Sequence, residues 1–168
     1  MHSRKTFTID PLSTESYSVE FTDQLNPEEE MQLLEGINCY GREKKGMHSI
    51  ELFGVFLKDV QGNPMGGLSG MFCYGCMHID MLWIDRLVRG NGWGKKIVEE
   101  AERQACRRGC RFATLETMDW EALPFYQKLG FSIEFIRKGY DNHSTMYFLR
   151  KQFAFDDACT ELNDLLKE

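Results

Sequence analysis

The chain has 168 residues, 42% of them apolar and 12% aromatic, enough to bury the core of one ordinary domain. Its net charge of -6 leaves no basic surplus to displace counterions from a phosphate backbone, which argues against nucleic acid as a partner. No apolar run approaches the roughly 18 residues that span a bilayer. Met1-His2-Ser3-Arg4-Lys5 leads into polar residues rather than a signal-peptide core, so no membrane partner and a cytoplasmic location are expected.

The first 17 residues are polar and aperiodic and read as a loosely held arm. Tyr17 to Phe21 alternates like a strand. Asn26-Pro27-Glu28-Glu29 then supplies an N-cap, a proline at the first helical position and a capping-box carboxylate, and Met31, Leu34 and Ile37 follow at helical spacing. This predicts a helix that gives way to a loop from Tyr40 to Gly46. Ser49 to Lys58 and Pro64 to Cys73 read as strands joined by the turn Asp59 to Asn63, with a third strand from Met77 to Ile84, together an antiparallel meander. Tyr74-Gly75 has the form of a two-residue hairpin turn flanked by Cys73 and Cys76. That pair has zinc-knuckle spacing, but 29 residues separate it from Cys106, and Cys106 and Cys110 have three residues between them rather than two and lie in and just after a helix. No metal site is expected, and the thiols are expected to stay free in a reducing compartment.

The third strand runs into Val88-Arg89-Gly90-Asn91-Gly92-Trp93-Gly94-Lys95 and then an amphipathic helix, with Ile97, Ala101 and Ala105 every four residues and Val98 widening the stripe. Its outer face offers Lys95–Glu99 and Glu99–Arg103 pairs; Arg107 and Arg108 suit its negative end, and Gly109 suits its C-cap. Phe112 to Thr117 reads as a buried strand, parallel to Met77–Ile84 through a right-handed crossover. A helix ending at Leu129-Gly130 and two strands, Ser132 to Lys138 and Thr145 to Lys151, follow. From Asp156 to Leu166 an amphipathic helix is expected, its apolar face packing on its own domain or forming a homodimer contact. One domain accounts for the chain, with residues 1–17 as arm and 153–168 as helical extension.

Three glycines within five residues, followed by a helix N-terminus with unpaired N–H groups, make a phosphate cradle. The Walker pattern fails, because Arg89 stands at its first glycine and Lys96 at its hydroxyl. The dinucleotide pattern fails at Lys95 or Ile97. Arg89, Gly92 and Gly94 have the spacing of the pyrophosphate loop of the GCN5-related N-acetyltransferases, and the chain resembles that family. Ala122 to Phe131, with Phe125-Tyr126 before Lys128-Leu129-Gly130-Phe131, is similar to the family's helix-then-strand signature. Leu82-Trp83-Ile84-Asp85 and Gly66-Gly67-Leu68 resemble the strands before the loop, so the likeness runs from about Ser49 to Lys151. Arg86 and Asp119 depart from it, standing where many members carry proline and a cofactor-contacting asparagine.

The resemblance implies an α/β (α+β) fold, a mixed and mostly antiparallel sheet with flanking helices, whose central parallel pair splays to admit acetyl coenzyme A. The cofactor would lie on backbone near Leu82 and Ile84 and on the loop Arg89, Gly90, Asn91, Gly92, Trp93, Gly94 and Lys95. Tyr126 would protonate the departing thiolate. For the general base the residues leave His78, Asp80 and Glu116 open; Asp85 is expected to support the turn, and His143 to line the acceptor site or face solvent. The implied activity is acetyl transfer to a primary amine by direct attack, the acidic balance being compatible with a cationic acceptor. An acyl-coenzyme-A sensor without turnover is the alternative.

Overall fold

The computed structural model describes the backbone of residues 6–8 and residues 17–154. Two short strands, β1 (Thr6–Thr8) and β2 (Ser18–Glu20), pair antiparallel, so the expected arm contributes a strand. The helix α1 (Pro27–Lys45) starts where its cap is written: the Asn26 side chain accepts from the Glu28 N–H at 3.0 Å, and Pro27 occupies the first turn. It runs past the predicted stop at Tyr40, because the residue that can end it is Gly46, which takes the left-handed conformation (φ 62°) and donates its N–H to the Arg42 carbonyl. Of the predicted inner stripe only Leu34 is half-buried. Met31 and Ile37 are exposed, and the helix meets the domain through Asn38, whose side-chain oxygen accepts from Ile50 N at 2.8 Å.

A six-stranded sheet follows, from β3 (Glu51–Lys58), β4 (Pro64–Cys73), β5 (Cys76–Ile84), β6 (Phe112–Met118), β7 (Ser132–Lys138) and β8 (Thr145–Gln152), in the order β3-β4-β5-β6-β8-β7. All its pairs are antiparallel except β5 with β6. Tyr74 and Gly75 both have positive φ (52° and 82°), the geometry that suits a two-residue turn to the strand twist, and Cys73 pairs with Cys76 across it. The helix α2 (Trp93–Arg107) makes the crossover and buries the predicted Ile97, Val98, Ala101 and Ala105 against Leu68, Met77, Ile79, Ala113 and Leu115. Its Lys95–Glu99 pair forms at 3.6 Å, whereas Arg103 turns to Glu100 rather than Glu99.

The short helix α3 (Leu123–Lys128) leads into β7, and β8 returns beside β6. Between them Asn142 and His143 carry positive φ (53° and 58°), and His143 faces solvent. The helix expected from Asp156 to Leu166 lies outside the described residues.

Candidate active site

The parallel ladder between β5 and β6 ends at Ile79 opposite Leu115, yet β5 continues to Ile84 and β6 to Met118. Beyond that rung the strands separate into a cleft of about 1320 Å³. A bulge sits at the fork. Against β4 the register jumps from Ile79–Gly70 to Met81–Ser69, leaving Asp80 as the extra residue. Gly70 permits it, because a Cβ there would collide with the His78 carbonyl. The bulge breaks the predicted alternation: Met77 and Ile79 are buried, and the inward phase resumes at Leu82 and Ile84, which pack on the core. The edge of β5 past Ile79 has no strand partner on the cleft side.

At one end of the cleft is the glycine loop. Asp85 caps a short 3-10 turn (Arg86–Val88) by accepting from Leu87 N at 2.8 Å, as expected of a turn-supporting residue. Gly90 and Gly92 follow with φ of 80° and 79°, a conformation costly for other residues. The first α2 turn closes with Lys96 N–H on the Gly92 carbonyl, so the N–H groups of Trp93, Gly94 and Lys95 have no acceptor within the helix. Side chains brace the loop: the Arg89 Nε donates to the Ile84 carbonyl at 2.7 Å, and the Asn91 amide donates to the Val88 and Arg89 carbonyls. A Cβ at Gly94 would stand 3.2 Å from the Phe125 ring, so α2 and α3 approach closely there.

Facing the loop, α3 presents Tyr126. Thr117 fixes the entry to this helix, donating to the Glu121 carboxylate and accepting from Ala122 N, while Met118 N donates to the same carboxylate. The Tyr126 ring packs edge-on against Phe125 and Phe131. Burial, with a smaller contribution from the Glu121 charge, pushes its phenol up to about 12. The group is held protonated, as a proton donor must be.

On the far side of the sheet the three base candidates come together. The His78 Nε2 lies 3.5 Å from Asp80 and 3.4 Å from Glu116, and its Nδ1 lies 2.8 Å from the Thr114 hydroxyl. Two carboxylates at Nε2 favour a proton there, leaving Nδ1 to accept from Thr114. Asp80, Glu116, Leu82, Ile84, Arg89, Gly90, Gly92, Trp93, Gly94, Lys95 and Tyr126 all line the cleft. His78 stands behind Asp80, and Asn91 lies off the wall. Asp119 is also off it, its N–H bonded to Thr145. Sequence reasoning missed Met81, Trp83 and Trp120, which also line the cleft. The phase break at Asp80-Met81 was the signal for the first two.

Among the described residues no group of three or more His, Cys, Asp or Glu side chains is arranged to hold a metal ion. Burial raises the Cys73 and Cys76 thiols, and that of Cys110 to about 11.

The acetyltransferase (GNAT) family model matches residues 12–131. A blasticidin-S acetyltransferase of Streptomyces morookaense is 31% identical over 104 residues, 61% of this chain and 76% of its own length. An acetyltransferase of Agrobacterium fabrum is 26% identical over 111 residues, 66% and 81% of the two chains. Among solved structures, an acetyltransferase from Bacillus cereus ATCC 14579 shares the fold with a TM-score of 0.64 at 24% identity, covering 79% of this chain and 97% of that one. The chain belongs to the GNAT acetyltransferase family. It is an acyltransferase, and its mixed sheet is the family's.

Proposed function

We propose that the protein transfers an acetyl group from acetyl coenzyme A to a primary amine by direct attack in a ternary complex. The observation that carries this is the parting of β5 and β6 after Ile79 and Leu115, which opens a cleft between the glycine loop and Tyr126. The N–H groups of Trp93, Gly94 and Lys95 take the pyrophosphate at the positive end of α2, with Arg89 and Lys95 adding charge. The free edge of β5 near Leu82 and Ile84 bonds the pantetheine amides as an added strand would.

The amine nitrogen attacks the thioester carbonyl, the C–S bond breaks, and the thiolate takes the Tyr126 proton, which solvent later restores. The ammonium gives one proton to the cluster of Asp80, Glu116 and His78 before attack, and the nitrogen gives a second to solvent as the amide forms. Orientation of amine against thioester supplies much of the rate, so no acyl-enzyme is needed. The Streptomyces relative is named for blasticidin S, which supports a small-molecule acceptor. The test pairs calorimetric titration of acetyl coenzyme A with a free-thiol release assay over an amine panel. Binding with amine-dependent thiol release is expected; binding without release from any amine would make the protein a sensor.

A further inference from the structure

The acceptor end of the cleft carries two features that bear on which amine it takes, and both face the same way. The first is charge. The cleft is basic at the loop, with Arg89, Lys95 and Lys128, and acidic at the fork, with Asp80, Glu116 and Glu121. Glu121 is committed to Thr117 and Met118, but Asp80 and Glu116 have side chains 39% and 37% exposed with only His78 between them. On the neighbouring strands Arg150 is engaged by Glu134 and the Phe112 ring, and Arg137 lies over the Phe148 ring.

The second is an open aromatic rung. Leu82 and Ile84 pack on the core, so Met81 and Trp83 point to the opposite face, 68% and 53% exposed. The register sets Trp83 beside Gly67 and Gly67 beside Phe56, three strands in one line. The glycine is required, because the Phe56 ring lies over it and over Gly54, where any Cβ would meet the ring. The result is a flat apolar floor beginning at the cleft wall and bordered by two carboxylates. Exposed apolar surface beside a reactive cleft is a mark of ligand contact.

We infer that the acceptor is a cationic amine carried on a flat apolar body, its ring lying on Trp83 and Met81 and its ammonium between Asp80 and Glu116. This rests on the transferase reading above. Charge complementarity holds the amine where it loses its proton, and the aromatic rung fixes the direction from which the nitrogen reaches the thioester. A compact aliphatic polyamine would leave the rung wet, and an amine with its own carboxylate would meet Asp80 and Glu116 with the wrong sign.

The test compares phenethylamine, hexylamine and phenylalanine as acceptors for the wild type and Trp83→Ala, with acetyl coenzyme A titrated calorimetrically in parallel. Phenethylamine is expected to exceed hexylamine in kcat/KM by up to about 10-fold, the worth of stacking one ring beyond its buried area, and phenylalanine to be poorest. Trp83→Ala is expected to erase the aryl preference through the amine KM while the acetyl coenzyme A Kd stays put. Equal kcat/KM for aryl and alkyl amines, or a preference that survives Trp83→Ala, would overturn the acceptor class and leave the transferase reading standing. Acetyl coenzyme A binding with no thiol release from any amine would overturn both. Sedimentation is run alongside: a wild-type dimer that Trp83→Ala dissociates would reassign the rung to self-association and overturn the inference.

Discussion

The loop end of the cleft and its acidic end are made of different material. From Arg89 to Lys95 the functional groups are mostly backbone: two glycines at φ near 80° and three N–H groups at the start of α2, with the Arg89 Nε and the Asn91 amide bonded to backbone carbonyls as braces. At the fork the functional groups are side chains, gathered from β5 and β6 by one bulge and one parallel rung. A site made of contiguous backbone tolerates changes of side chain but not of conformation. A site made of converging side chains behaves the other way round.

The sharpest break of this contrast is Gly92→Val. A β-branched residue held at φ 79° costs backbone strain and turns the loop out of register, so acetyl coenzyme A affinity should fall about 100-fold by calorimetry, the fold remaining intact by circular dichroism. Lys95→Ala, at the same end, should cost only a few-fold, because its exposed side chain is paired with Glu99. A larger loss for the lysine than for the glycine would invert the proposed division.

At the fork, Asp80→Asn and Glu116→Gln should each lower kcat/KM for the amine by about 10-fold, less than the roughly 100-fold or more of a sole general base because the other carboxylate remains, and leave acetyl coenzyme A affinity unchanged. Both contact the same His78 nitrogen, so the double variant should lose less than the product of the two singles. Strict additivity would separate the carboxylates into independent roles.

A gentler probe is pH. Deprotonation, which would remove the Tyr126 donor, comes only as pH rises toward about 12, so the phenol should produce no alkaline fall in kcat below pH 10. A fall centred below pH 9 that vanishes in Tyr126→Phe would contradict this. The smallest effect is expected at the β4–β5 hairpin: replacing Cys73 and Cys76 by serine should leave acetyl coenzyme A affinity unaltered. Elemental analysis of protein purified without chelator should find no stoichiometric zinc, and one zinc per chain would reverse that assignment.

The same division explains what the sequence makes legible. Gly90, Gly92 and Gly94 announce a cradle because the conformations they permit are local, and Ile97, Val98, Ala101 and Ala105 announce a buried helix face because their period is local. The end of α1 is misread at Tyr40 because Gly41 looks like a stop, whereas only Gly46 takes the left-handed cap. Arg103 has two carboxylates within one turn, and spacing does not choose between Glu99 and Glu100. The meeting of His78 with Glu116 requires the parallel register, and the meeting of Trp83 with Phe56 requires two further strands, so neither is visible along the chain. The phase shift at Asp80-Met81 is written in the sequence, but it becomes a bulge only once Gly70 lies opposite.

The two ends meet at Tyr126, and its hydroxyl is where the account is most directly tested. Tyr126→Phe keeps the ring packed between Phe125 and Phe131, so acetyl coenzyme A should bind with wild-type affinity. With the proton donor gone, kcat should fall about 100-fold, at the lower end for general acids because a coenzyme A thiolate is a tolerable leaving group. The loss should appear in kcat and not in the KM for acetyl coenzyme A. Wild-type kcat in the phenylalanine variant, measured on a turned-over amine while chemistry limits the rate, would remove Tyr126 from the mechanism.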